Sequence, residues 1–175
     1  MESGNESRRR EIAASISAAG VVFKERADSK DLILSLRDRF VDPDEAGGQI
    51  FTGLTDYYSV QMRPYDAEST LDIMGYGPSP APCLVLFDSI HFVFEFPSLD
   101  EAIRGWKKIR SSSDTYVFDE STTFMIGFND HDYLMGAGLA AEWIDDIHTL
   151  TPAYPGPAGS RELLEIARSM PYGAE

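Results

Sequence analysis

Apolar residues recur every three or four positions in several parts of the chain, and this spacing predicts helices. The first predicted helix covers residues 8–19, with two isoleucines one turn apart. A second begins at Ser29 or Lys30 and ends before Pro43, because proline cannot continue a helix. Its apolar stripe consists of Leu32, Ile33, Leu36 and Phe40.

The middle of the chain has a different pattern, with short apolar runs and strict alternation, which predicts strands. Residues 50–62 are rich in β-forming types. Residues 83–87 are continuously apolar and residues 90–96 alternate, so the two segments predict a hairpin at the centre of a sheet. In the second strand the phenylalanines face one side, and His91, Val93 and Glu95 face the other.

The second half predicts further elements of both kinds. Ser98 and Glu101 form a capping box that opens a helix ending near Arg110. Residues 116–118 and 122–128 predict another strand pair. A helix is then expected from residue 129 or 130 through residue 147, and a last helix over residues 161–170.

These elements predict one α+β domain over residues 1–175, in which helices pack against an antiparallel sheet. Residues 1–8 are expected to be flexible. Residues 149–160 are rich in Pro and Gly and predict a linker to the C-terminal helix.

The charge of the chain limits the classes of partner, because 15 basic and 29 acidic residues give a net charge of −14. A nucleic acid or an anionic membrane needs a basic surface, so neither is expected as a partner. The chain has one cysteine, Cys83, and no apolar stretch of about 20 residues, the length that spans a bilayer. These features predict a cytoplasmic protein.

The acid is concentrated in residues 111–160, which contain no Lys and no Arg. This stretch interleaves eight carboxylates with seven aromatic residues, a pattern that favours a surface for a basic partner. The predicted partner-binding residues are Asp130, Asp132, Glu142, Trp143, Asp145 and Asp146. If a helix ended near His148, then Glu142, Asp145 and Asp146 would oppose its dipole, which favours a functional role for them.

Catalytic chemistry has weaker support in the sequence. His91 with Glu95, or His131 with His148, are the candidate acid–base positions, but neither pair has a recognised spacing. The histidines and aspartates match no metal-ligand pattern, so no metal site is predicted. Residues 136–141 imitate a dinucleotide fingerprint, but they fall inside the predicted helix, where small residues favour close packing. No catalytic residue and no cofactor is therefore predicted.

The preferred hypothesis is a small acidic module that neutralises a basic protein partner, most concretely an immunity protein or an inhibitor of a toxin enzyme. The first alternative is a small enzyme or ligand-binding protein with a site near His91 and Glu95 or near His131 and His148. The second is a dimeric chaperone or scaffold, in which the C-terminal helix is exchanged between protomers.

Overall fold

The computed structural model of the protein describes residues 4–45, 49–61, 67–109, 114–129, 131, 133–150 and 160–172. In these ranges there are six α-helices: α1 (Gly4–Ala18), α2 (Ser29–Phe40), α3 (Ala67–Met74), α4 (Leu99–Trp106), α5 (Leu139–Leu150) and α6 (Ser160–Ser169). The strands there are β1 (Lys24–Glu25), β2 (Tyr57–Gln61), β3 (Cys83–Phe87), β4 (Phe92–Phe96), β5 (Thr115–Phe118), β6 (Phe124–Phe128) and β7 (Tyr133–Gly138).

All seven strands form one antiparallel sheet in the order β1-β4-β3-β5-β6-β7-β2. The predicted hairpin is confirmed as β3 and β4, in which Cys83 pairs with Phe96 and Phe87 with Phe92. The predicted pair that follows is confirmed as β5 and β6. The structure is therefore the predicted α+β fold, with helices packed against an antiparallel sheet.

Both faces of the sheet are covered, which explains why every residue of the central strands β3, β5 and β6 is buried. Side chains of α1, α3, α4, α5 and α6 form one apolar cluster with alternate strand residues such as Val85 and Phe94. On the opposite face α2 and Ile50 pack on Leu84 and Val93. The apolar stripe of α2 is buried as the sequence predicts, and the Ser98 hydroxyl accepts a hydrogen bond from the Glu101 backbone N–H.

The helix predicted from residue 129 or 130 is wrong in its first half. Residues 133–138 form β7, which lies between β6 and β2, and α5 begins only at Leu139. Gly138 has a φ of 60°, and the Leu139 backbone N–H donates to the Thr123 carbonyl, so the chain turns directly from strand into helix. Pairing with the neighbouring strands thus determines that this segment is a strand, because its small residues have little preference for either helix or strand.

Several boundaries also differ from the predictions. Helix α1 begins at Gly4, so part of the N-terminal stretch expected to be flexible is helical. The apolar residues 21–23 predict a short strand, but the strand in the structure, β1, lies directly after them at Lys24–Glu25. Residues 149 and 150 belong to α5, while the rest of the predicted linker up to residue 159 lies outside the described residues. Within the described ranges, no helix has the length and apolar character needed to span a bilayer.

Candidate functional site

The predicted partner-binding residues are divided by the fold. Glu142 and Asp146 are exposed on α5, and Asp145 is half-buried on the same helix. Asp130 and Asp132 lie outside the described residues. The candidate site therefore consists of the outer surface of α5 and of the neighbouring edge strand, β2.

Trp143 lies on the opposite side of α5 and is a core residue, with 3% of its surface exposed. Its ring reaches the loop that follows α3, where a Cβ on Gly77 would stand 2.9 Å from the Cζ3 atom of the tryptophan. Its indole N–H has no hydrogen-bond partner in the described part of the chain. Trp143 holds α5 on the sheet and is not a surface anchor, so it leaves the partner-binding set.

The dipole argument for the α5 acids is also wrong, because α5 begins at Leu139 and continues to Leu150. With the helix beginning at Leu139, Glu142 lies in the first turn, where a negative charge is favourable. Asp145 and Asp146 lie near the middle of α5, where the dipole has little effect. Their interest comes from their surroundings and not from their place along the helix.

In the part of the chain that the structure describes, no cation pairs with them. Across the residues that the structure describes, Glu142, Asp145 and Asp146 make no ion pair. Neither α5 nor the strands β2 and β7 beneath it carry Lys or Arg. Three carboxylates thus share one helix without compensation.

Other acids of the Lys-free and Arg-free stretch have different roles. Asp119 accepts hydrogen bonds from the backbone N–H groups of Thr123 and Phe124 in the β5–β6 turn. Glu120 pairs with Arg26 at 2.7 Å. Asp114 is buried. The acidic stretch is therefore not one surface, and its candidate binding part is the portion on α5.

Strand β2 lies under α5 at the edge of the sheet and adds two exposed aromatic side chains. Tyr57 is 38% exposed and Tyr58 is 48% exposed. Asp56, which precedes them, is exposed and has a φ of 48°. Adjacent strand residues point to opposite faces, so a Tyr-Tyr pair on an edge strand cannot be wholly buried by one helix layer.

A second polar cluster is buried at the end of the sheet where β3 ends and β5 begins. Asp88 and Asp114 are both buried there, and the Tyr116 hydroxyl lies 3.4 Å from Oδ2 of Asp114. Burial raises the pKa of Asp88, although the charges of His91 and Arg37 oppose the shift. Burial and the two aspartates raise the pKa of Tyr116. The described side chains of this cluster are buried away from solvent, so we expect the cluster to affect stability.

The two candidate histidine pairs lie in different surroundings. His91 lies before β4 in a left-handed conformation, and its Nδ1 atom is 3.5 Å from Asp88 Oδ1. Glu95 accepts hydrogen bonds from Lys24 at 2.7 Å and Arg26 at 2.8 Å, which hold its pKa below the ordinary value. His131 and His148 are exposed on a loop and on α5.

The remaining candidate chemistry is also accounted for by the fold. In the described ranges, no three His, Cys, Asp or Glu side chains are grouped to hold a metal ion. Cys83 is buried, which raises the pKa of its thiol to about 12. Gly136 and Gly138 do lie at a strand-to-helix junction, contrary to the sequence prediction. However, a Cβ on Gly138 would stand 2.3 Å from the Thr123 carbonyl oxygen, so the chain itself fills the space that a pyrophosphate needs.

One open cleft, of about 620 Å³, lies between α3, α4 and α6. Two of its charged groups are paired: Asp72 pairs with Lys107 at 2.6 Å, and Arg104 pairs with Glu101. Arg168 donates to the neutral Tyr76 hydroxyl at 3.3 Å, and Asp100 also lines the cleft. The cleft therefore carries charge of both signs, without the excess of one sign that α5 has.

Comparisons of the chain with protein-family models, with curated proteins and with solved structures found no match. The surface of α5 and β2 therefore has to be interpreted from its own chemistry. Uncompensated carboxylates beside exposed tyrosines, on two elements anchored in the core, can bind a cationic surface.

Proposed function

We propose that the chain is an acidic protein-binding module that neutralises a basic protein partner in the cytoplasm. An immunity protein or an inhibitor of a toxin enzyme is the most concrete form of this function. The observation that carries the proposal is the group of Glu142, Asp145 and Asp146 on α5, which has no cation beside it among the described residues.

The position of these acids on α5 supports a binding role. Trp143, Ile144 and Ile147 bury the other side of the helix, so the carboxylates project from a rigid element. A rigid surface loses less side-chain and backbone entropy when it binds than a loop does. The acids are thus arranged before any partner arrives.

The net charge of −14 supports the first step of binding. A strongly acidic protein attracts a basic partner over several ångströms and raises the association rate, an effect that salt weakens. Close ion pairs to Glu142 and Asp146 then slow dissociation, and the exposed tyrosines supply apolar contact.

The test is a tagged pull-down from the source organism, with washes at low and then high salt. The variant Glu142→Lys with Asp146→Lys is compared with a matched control, Asp38→Lys with Asp44→Lys. All four positions are exposed, with Asp38 on α2 and Asp44 in the short 3-10 turn Pro43–Glu45, and each pair of reversals changes the net charge equally. We expect a basic protein that high salt releases and that the α5 variant fails to capture.

Retention of that protein by the α5 variant at wild-type levels, or equal loss in both variants, would contradict the proposed site. Circular dichroism of both variants shows whether they remain folded. A purified partner enzyme whose activity the wild-type chain does not reduce would contradict neutralisation, even where binding persists.

A further inference from the structure

Strand β2 is an open edge of the sheet. Its five residues pair with β7 from Tyr57↔Ala137 to Gln61↔Tyr133, and no other described strand pairs with its outer side. A strand at the edge of a sheet presents unpaired backbone donors and acceptors to a new strand.

The hydrogen bonds of β7 show which backbone groups of β2 face outward. The Asn129 N–H donates to the Tyr133 carbonyl, and the Leu139 N–H donates to Thr123, so odd-numbered residues of β7 bond toward β6. Antiparallel ladders alternate, so Leu134 and Gly136 bond toward β2, where they pair with Val60 and Tyr58. The outward N–H and C=O groups are therefore those of Tyr57, Ser59 and Gln61.

The two edges of the sheet differ in how they are protected. Strand β1 has two residues, and its Lys24 pairs with Glu95. A short strand with lysine resists pairing with other chains. Strand β2 has five residues in unbroken register, with no Pro and no Lys. Its Tyr57 and Tyr58 flank the edge on opposite faces, where each can contact a side chain of an added strand.

The charge around β2 indicates which kind of chain segment can pair with its free edge. Asp56 lies at its start, and α5, with Glu142, Asp145 and Asp146, packs over β2 and β7. A second copy of the chain would bring two such acidic surfaces together, and like charges oppose that pairing. A cationic segment has the complementary charge.

We propose that an extended segment rich in Lys and Arg, supplied by the basic partner, adds to the free edge of β2 as an antiparallel strand. The inference rests on the proposed function and specifies how the partner binds. Backbone hydrogen bonds to Tyr57, Ser59 and Gln61 give affinity, and the acids of Asp56 and α5 select for cationic side chains.

The test measures amide hydrogen exchange by NMR on the full chain, with and without a capped heptapeptide of alternating Lys and Val at millimolar concentration. Addition of a strand slows exchange at Tyr57, Ser59 and Gln61 by about tenfold or more. Exchange at Tyr58 and Val60 stays unchanged, because β7 already bonds them. This alternation distinguishes strand addition from charge attraction alone.

Two substitutions at one position provide a second measurement. Ser59→Pro removes an outward N–H that β7 does not use, and edge strands tolerate such a proline. Ser59→Ala keeps the N–H. We expect the proline variant to bind the peptide at least about fivefold more weakly than the alanine variant, with both folded by circular dichroism.

The outcomes separate this inference from the proposed function. Salt-sensitive peptide binding that Glu142→Lys with Asp146→Lys abolishes, without alternating protection, would overturn strand addition and leave the acidic surface in place. No binding at millimolar peptide would also overturn it, while the pull-down decides the proposed function independently. Slow amide exchange at Tyr57, Ser59 and Gln61 in the free protein that is lost on dilution would show that a second copy of the chain occupies the edge. This result would contradict binding of a partner segment there.

Discussion

Gly136 in β7 lies directly against the backbone of Ala140, the second residue of α5. A Cβ on Gly136 would stand 2.4 Å from the Ala140 carbonyl oxygen and 2.6 Å from Cγ1 of Ile144. The absence of a side chain at this one position lets α5 cross β7 closely enough to bury Trp143 and Ile144.

Gly136→Ala should therefore destabilise the protein by about 2 kcal/mol, because backbone and core atoms must move apart. Urea unfolding followed by circular dichroism measures the change. Gly4→Ala is the control, since nothing lies within 4 Å of that position, and it should be neutral or slightly stabilising. Equal stability of the Gly136→Ala variant and the wild type would show that α5 can shift outward without loss.

Arg26→Met should cost about 2 kcal/mol at neutral pH, because Arg26 pairs with Asp28, Glu95 and Glu120 and is largely buried. The control is Arg104→Met, since Arg104 is more exposed and pairs within α4, so its loss should cost at most about 0.5 kcal/mol. Urea titrations of both variants give the comparison.

The cost of Arg26→Met should also depend on pH. Arg26 holds the pKa of Asp28 below its ordinary value, and Lys24 and Arg26 do the same for Glu95. A lowered pKa stabilises the folded state above the ordinary carboxyl pKa, and this stability disappears as the pH falls through the folded value. The difference between wild type and variant should therefore shrink from pH 5 downward, and a constant difference would contradict this origin.

Asp88→Asn should stabilise the protein at pH 7 by about 1 kcal/mol, because the buried Oδ1 atom of Asp88 lies 3.5 Å from His91 Nδ1 and makes no hydrogen bond of good geometry among the described residues. Burial raises the pKa of Asp88 above its ordinary 3.8, so ionisation destabilises the folded state as the pH rises through that window. The gain should disappear near pH 3, where both states are protonated.

Unfolding measured at pH 3 and pH 7 tests the Asp88 prediction, with Asp38→Asn on the exposed side of α2 as the control. A loss of stability at pH 7 would show instead that His91 and Arg37 compensate the charge of Asp88 fully. Asparagine would then remove a favourable interaction.

Trp143→Phe separates the core role of this residue from the surface role expected from the sequence. Loss of a buried ring should cost about 2 kcal/mol in urea unfolding, since a cavity is left beside Gly77. Affinity for the Lys–Val heptapeptide should change less than about twofold, whereas Glu142→Lys should weaken it. A large loss of affinity in a folded Trp143→Phe variant would return Trp143 to the binding surface.

The parts of the fold that the sequence predicted well have strong local determinants. The stripe of α2, the cap at Ser98 and the alternation of residues 92–96 each depend on neighbours within a few positions, so the pattern and the structure agree. Residues 133–138 have no such determinant, since the segment Tyr-Leu-Met-Gly-Ala-Gly suits a helix or a strand. Pairing with β6 on one side and with β2, far away in the sequence, on the other decides between them.

The site was predicted less well for the same reason. Glu142 and Asp146 are on the surface as expected, but the ends of α5, at Leu139 and Leu150, determine whether an acid meets the helix dipole, and they reverse that prediction. The burial of Trp143 depends instead on the face of α5 that packs on the sheet, which also carries Ile144 and Ile147. The exposure of Tyr57 and Tyr58 depends on which strand ends the sheet, and no local pattern contains the strand order.

The strand order also affects how the chain reaches its folded state. Strand β2 is made early, yet its partner β7 follows about seventy residues later. At a synthesis rate of about 5–20 residues per second, β2 waits several seconds on the ribosome before β7 emerges, and such distant pairing slows folding. During that interval its apolar and aromatic residues are available to other nascent chains. Residues 1–132, which precede β7, already contain 23 acidic and 13 basic residues, so mutual repulsion between nascent chains should reduce that risk and limit aggregation during synthesis.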